Sequence, residues 1–236
     1  MRSTILISAL TLALAGVGCE EPQAEEAGTS TAAASETPAE ETPVEETPEE
    51  ATEEPAEEAE TPEVATVGQP APDFTLTDQA GEEHTLSDLR GKIVVLEWIN
   101  PQCPFVQRHY GAGTMTGLDG QFPDDEVAWL AVDSSHFVEA EDAEAWRQEH
   151  EIAYPILLDN AGDVGHAYSA TTTPNMFVID AEGVLRYAGA IDDDPRGRND
   201  SPTNYVNQAV QALRNGEAVE TAQTEPYGCS VKYQNS

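Results

Sequence analysis

The chain has 236 residues, with 45 aspartates and glutamates against 10 lysines and arginines and a formal net charge of −35. That acidity excludes a nucleic-acid binder, which needs basic surface to meet phosphates. The length leaves room for one folded domain, because more than a quarter of the chain has no capacity to fold.

Residues 1–19 are predicted to be an export signal. Arg2 gives a positive start, Ile5 to Val17 an apolar run too short to span a bilayer, and Ala15-Gly16-Val17-Gly18-Cys19 a small-residue end. The end resembles a bacterial lipobox, although Gly16 stands where leucine is usual. It implies a lipidated Cys19 as mature N-terminus and a membrane-anchored, exported lipoprotein with its domain in the periplasm or on the extracytoplasmic face. The competing expectation is cleavage after Ala13-Leu14-Ala15 with a soluble product.

Residues 20–63 hold 17 glutamates and no lysine or arginine among proline, threonine and alanine. Such a segment buries too little apolar surface to offset chain entropy, so disorder is expected. As a flexible coil it would span roughly 40 Å, enough for a tether. The remaining residues, 64–236, carry 28 acidic and 9 basic side chains and are acidic in their own right.

The domain is predicted over 64–217, followed by a C-terminal segment, 218–236. Phe74-Thr75-Leu76 and His84-Thr85-Leu86 alternate around Asp78 to Gly81, the pattern of a hairpin. Ser87 to Lys92 reads as a helical turn and Ile93 to Ile99 as a strand covered on both faces. A helix is predicted from about Cys103, interrupted near Gly111-Ala112-Gly113. A strand over Val127–Val132, a helix over Glu139–His150, a strand over Tyr154–Leu158 and a short helix over Val164–Ser169 come next. Met176–Ile179 and Val184–Ala188 form a second hairpin. The last helix runs from Ser201 to Arg214, opened by Ser201-Pro202. Strands alternating with helices, plus two hairpins, imply an α/β fold with a mixed central sheet and an N-terminal hairpin extension.

Cys103 is the candidate nucleophile. It stands where the apolar strand gives way to a helix, and the free N–H groups and positive dipole end at a helix start favour thiolate. Pro104 suits the first helical position. The competing reading is a structural thiol. Glu97 is a charged residue inside an apolar strand, either a buried acid or a partly exposed position. Tyr110, Met115 and Met176 are expected to pack, and Arg108 to be solvated. His109, His136, His150 and His166 form no ligand pattern, so no metal or other cofactor is expected.

Four segments together resemble the thioredoxin-like superfamily, in its redoxin or peroxiredoxin-like (AhpC/TSA-related) branch. They are Val67-Gly68-Gln69-Pro70-Ala71-Pro72-Asp73-Phe74, Glu97 to Val106, Thr173-Pro174 and Gly228-Cys229-Ser230-Val231-Lys232-Tyr233. The resemblance implies a thioredoxin-like fold over about 65–232 and a cis proline at Pro174 facing Cys103, where a substrate backbone docks. It also implies that Glu97 shuttles protons. The chain departs from thioredoxins at Val106, where they carry a second cysteine. It departs from typical peroxiredoxins at Leu96 and Asn100, where they carry proline and threonine. The Asn100 amide is the candidate substitute for the threonine hydroxyl that polarises peroxide.

The function implied is a thiol oxidoreductase acting on a protein disulfide or a peroxide, with an external thiol as reductant. Cys229 would resolve an oxidised Cys103 from a mobile chain end. The alternative is a non-catalytic binding module with a structural Cys103–Cys229 disulfide.

Overall fold

The structure, a computed structural model, describes residues 64–234. The export signal, Cys19 and the acidic tether lie outside the described residues. Strands β1 (Thr75–Asp78) and β2 (Glu83–Thr85) form the first hairpin. Asp78 closes it by accepting from the backbone N–H groups of Ala80 at 2.8 Å and Glu82 at 3.0 Å. A 3-10 turn, Leu86–Leu89, takes Leu86 out of the strand predicted for it.

Strand β3 (Ile93–Trp98) is buried at every residue. It lies between β4 (Val127–Asp133), parallel to it, and β7 (Asn175–Ile179), antiparallel to it. β5 (Ile156–Leu158) runs parallel to β4 and antiparallel to β1, which places the N-terminal hairpin at one edge. β8 (Leu185–Gly189) closes the other edge as a hairpin with β7. The seven-stranded order is β2-β1-β5-β4-β3-β7-β8. This is the mixed sheet of the thioredoxin-like fold that the resemblance implied.

The alternation of β3 sorts its side chains to two cores. Ile93 and Val95 join a layer containing α1 (Pro104–Gly111), α2 (Thr114–Asp119), α3 (Ala140–Glu149) and α5 (Tyr205–Arg214). Val94, Leu96 and Trp98 face Phe74, Leu86 and Tyr168, the last at the end of α4 (Asp163–Ala167). In α5 the buried residues Val206, Ala209 and Val210 recur at helical spacing, and each valine contributes about 1.5–3 kcal/mol by its burial. Met115 and Met176 are core residues, as expected.

Gly113, at φ 68°, separates α1 from α2 in the left-handed conformation, so the predicted interruption is a real break. The predicted start of α5 needs correction. Asn204, not Ser201-Pro202, caps it, and its side chain accepts from Asn207 N at 2.8 Å. Two strands escaped the sequence pattern: β6 (Thr172–Thr173) and β9 (Cys229–Ser230), which pair antiparallel as a separate small sheet. Two residues are too few to show alternation.

Residues 218–234 pack along the domain rather than trailing from it. Ala188 N donates to Ala222 O at 3.1 Å and Thr224 N to Ala188 O at 3.1 Å. Further on, Val231 is buried in the second core and its N–H donates to Thr171 O at 3.1 Å. The mobility expected around Cys229 is therefore corrected to a clamped segment.

Candidate active site

The turn between β3 and α1 is braced by one side chain. Asn100 Oδ1 accepts from Gln102 N at 2.7 Å, and its Nδ2 donates to Ser135 Oγ at 2.9 Å. Both ends of the amide are thus engaged, the oxygen within the loop and one of the two Nδ2 hydrogens at Ser135, which leaves the second N–H without a protein acceptor. Cys103 occupies the N-cap of α1 with extended φ and ψ of −80° and 121°, and Pro104 follows at the first helical position. The cysteine is 2 % exposed, and its Sγ lies 3.0 Å from the carbonyl oxygen of Thr173, which accepts the thiol proton. The Thr173-Pro174 peptide bond is cis.

Cys229 reaches the same place from the other end of the chain. In the β6–β9 ladder it is the register partner of Thr173. Gly228, at φ 148°, makes that approach possible, since a Cβ there would stand 2.0 Å from Thr173 O. Both cysteines are free thiols.

Their acidities diverge. Burial raises the Cys103 pKa. Hydrogen bonds from the Cys229 thiol, the Thr173 side chain and the backbone N–H groups of Val106 and Cys229 outweigh it, so the net direction is downward. The Thr173 hydroxyl is buried and closes no hydrogen bond, although it faces the Cys103 sulfur. Cys229 is pushed up to about 11 by burial, by its hydrogen bond to Cys103 and by the charge on Cys103, with Lys232 opposing.

Glu97 is fully buried, not partly exposed. Its Oε1 accepts from the hydroxyls of Tyr110 and Tyr154, the latter at 3.0 Å. Its Oε2 closes no hydrogen bond, although the Trp129 indole faces the carboxylate. Burial raises its pKa to about 7 against the pull of Tyr110, Trp129 and Tyr154. Its hydrogen bonds go to these residues rather than to Cys103. Tyr110, expected only to pack, thus has a polar role as well.

Sequence reasoning missed the polar cluster that holds the Cys229 strand. Arg108, expected to be solvated, donates through Nη1 to Pro195 O at 2.9 Å and through Nη2 to His109 Nε2 at 3.0 Å. Tyr227 donates to Asp192 Oδ1 and its hydroxyl lies 3.0 Å from His109 Nε2. Its ring packs against Phe105 with centroids 5.9 Å apart. Burial lowers the His109 pKa to about 4, with Arg108 adding to the effect against Asp192 and Asp194, so this imidazole is neutral at pH 7. The signal was present in sequence as the Phe105, Arg108 and His109 face of α1, but its partners lie more than 80 residues away.

A cleft of about 680 Å³, lined by Val67, Asp180, Arg186 and Arg214 among others, includes neither cysteine. Among the described residues no cluster of histidine, cysteine and carboxylate suits a metal ion, and no helix is long and apolar enough to cross a membrane.

The AhpC/TSA family pattern matches residues 67–188. The thiol-disulfide oxidoreductase ResA of Geobacillus kaustophilus is 33% identical over 120 residues, covering 51% of this chain and 67% of ResA. Protein sll0755 of Synechocystis, named as a proposed peroxiredoxin, is 32% identical over 172 residues, covering 64% of this chain and 82% of its own. Among solved structures, a hypothetical protein of Sinorhizobium meliloti superposes with a TM-score of 0.65 at 29% identity, over 72% of this chain and 96% of that one. A conserved protein of Geobacillus kaustophilus gives 0.65 at 27%, over 72% and 94%. With the pattern spanning half of the sequence and the cysteine turn and cis proline inside it, the chain belongs to the AhpC/TSA family.

Proposed function

We propose that the chain is a thiol oxidoreductase in which Cys103 attacks a peroxide or a disulfide and Cys229 resolves the product. The observation that carries this reading is that Cys103 caps a helix with its Sγ 3.0 Å from Thr173 O while Cys229 is the register partner of that same Thr173, and the lowered Cys103 pKa agrees with it. With a peroxide, the Cys103 thiolate takes one oxygen, the O–O bond breaks, and water or an alcohol leaves with a proton. The Cys229 sulfur then attacks the sulfenic sulfur, expelling water and leaving a Cys103–Cys229 disulfide. With a disulfide substrate, Cys103 forms a mixed disulfide and Cys229 displaces the substrate thiol. An external thiol reduces the bridge. The Thr173 hydroxyl supplies, from across the site, a donor of the type absent at Asn100. Glu97, with its pKa near neutrality, is the proposed proton reservoir behind α1.

Mild peroxide followed by a sulfenic-acid trap tests the scheme. The Cys229→Ser variant accumulates trapped Cys103, while the parent forms an intramolecular bridge. Equal behaviour of the two would remove the resolving role. A bridge with a potential below about −300 mV would instead mark the static disulfide of a binding module.

We also propose export and lipidation at Cys19, supported by the motif at residues 15–19. Mass spectrometry of the mature N-terminus decides it, and an unmodified Cys19 refutes it.

A further inference from the structure

The site is already occupied by a strand, and that strand belongs to the protein itself. Pairing of Thr172 with Ser230 and Thr173 with Cys229 takes up the main chain of β6 beside the cis proline. A polypeptide docking there by strand addition would need the same main-chain groups. Gly228 lies against Thr173 O too closely for any side chain, and Cys103 keeps 2 % of its surface in solvent. An incoming chain therefore has neither edge nor space while the segment is seated.

The two anchors of the segment differ in kind. On its C-terminal side Val231 is buried, and Tyr233 donates to Ala170 O at 2.7 Å and stacks on His166 with centroids 4.1 Å apart. On its N-terminal side no residue from 221 to 230 is fully buried, and Tyr227, partly buried like Tyr233, packs on Phe105 and is held by polar contacts to Asp192, His109 and Arg108. Solvent can replace polar contacts at a partly exposed site more readily than buried apolar packing, so the Tyr227 end is the less strongly held of the two.

We propose that residues 227–233 are an internal docking strand that sets the substrate class of Cys103, admitting a small peroxide and excluding an extended polypeptide disulfide until the Tyr227 anchor opens. This rests on Cys103 being the nucleophile. With the polypeptide, the Cys103 thiolate attacks one sulfur, the S–S bond breaks, and the other sulfur leaves as thiolate.

The test uses the full reduced chain carrying Cys229→Ser, so that Cys103 is the thiol followed. Its oxidation rate is measured with hydrogen peroxide and with a short peptide containing one disulfide. Adding Tyr227→Ala raises the ratio of peptide rate to peroxide rate by about tenfold or more, the factor expected for opening a hydrogen bond to a charged group. Tyr227→Phe, which keeps the ring and loses the hydroxyl, raises it by a smaller factor and carries the test if the alanine variant misfolds. A ratio unchanged or lowered in the folded variants overturns the proposal. If Cys103 reacts with neither oxidant in any variant, the nucleophile reading itself has failed.

Discussion

Cys103 and Cys229 both meet Thr173 of β6, yet their surroundings act on them in opposite directions. Cys103 caps a helix and receives donors from three directions, so its pKa falls despite burial. Cys229 sits on a two-residue strand with no helix behind it, and its pKa rises to about 11. The difference teaches that neighbouring thiols can be set apart by their surroundings. In the scheme proposed above, oxidation of Cys103 would remove its charge from beside Cys229, leaving burial as the main cause that holds the Cys229 pKa up.

The most direct way to break this comparison is to remove the low-pKa partner. Cys103→Ala is expected to lose turnover of peroxide or disulfide by on the order of a thousandfold, whereas Cys229→Ala retains a first, single-turnover oxidation. Comparable losses in the two variants would deny the asymmetry.

Glu97 offers the next largest effect. Its folded pKa of about 7 exceeds the ordinary 4.5, so the folded state binds this proton more tightly than the unfolded state. The stability this gives is present below pH 4.5 and is lost as pH rises through 7. Glu97→Gln removes the penalty of the buried charge. Relative to the parent it should gain up to about 3 kcal/mol between pH 4.5 and 8, measured by urea unfolding. A pH-independent difference would mean that the carboxyl is ionised throughout.

Gly228→Ala probes the strand that carries Cys229. The added Cβ meets Thr173 O, and the positive φ is poor for alanine, so about 2 kcal/mol of stability is expected to be lost. Bridge formation should slow while the alkylation rate of Cys103 rises. A variant that bridges as fast as the parent would show that the close approach is dispensable.

The smallest effect sharpens the comparison most. Cys229→Ala deletes the thiol donor, and Cys229→Ser keeps a hydroxyl there. Alkylation of Cys103 against pH should give a higher inflection in the alanine variant than in the serine variant. Equal inflections would assign the lowering to the helix start and Thr173 alone.

The buried strand Ile93–Trp98, the hairpins and the break at Gly113 were legible because each rests on neighbours in sequence: apolar runs, turn residues and a left-handed glycine. Cys103 was legible for the same reason, since a strand-to-helix turn is local. Asn100 was read as a peroxide donor because its type suits that role, whereas its contact with Ser135, which follows β4, was not legible because that partner is remote along the chain. Arg108 looked solvated because Asp194, Pro195 and Tyr227 are remote along the chain.

The sequence by itself determined the acidic balance, the α/β order and a cysteine at a strand-to-helix turn, all of which follow from composition and short-range pattern. Only the tertiary structure decided that Glu97 is fully buried, that Tyr227 is held from α1, and that Cys229 is paired with the Thr173 whose carbonyl meets Cys103. Burial, charge environment and strand pairing depend on which distant surfaces meet, and a two-residue strand such as β9 exists only because β6 is there to receive it.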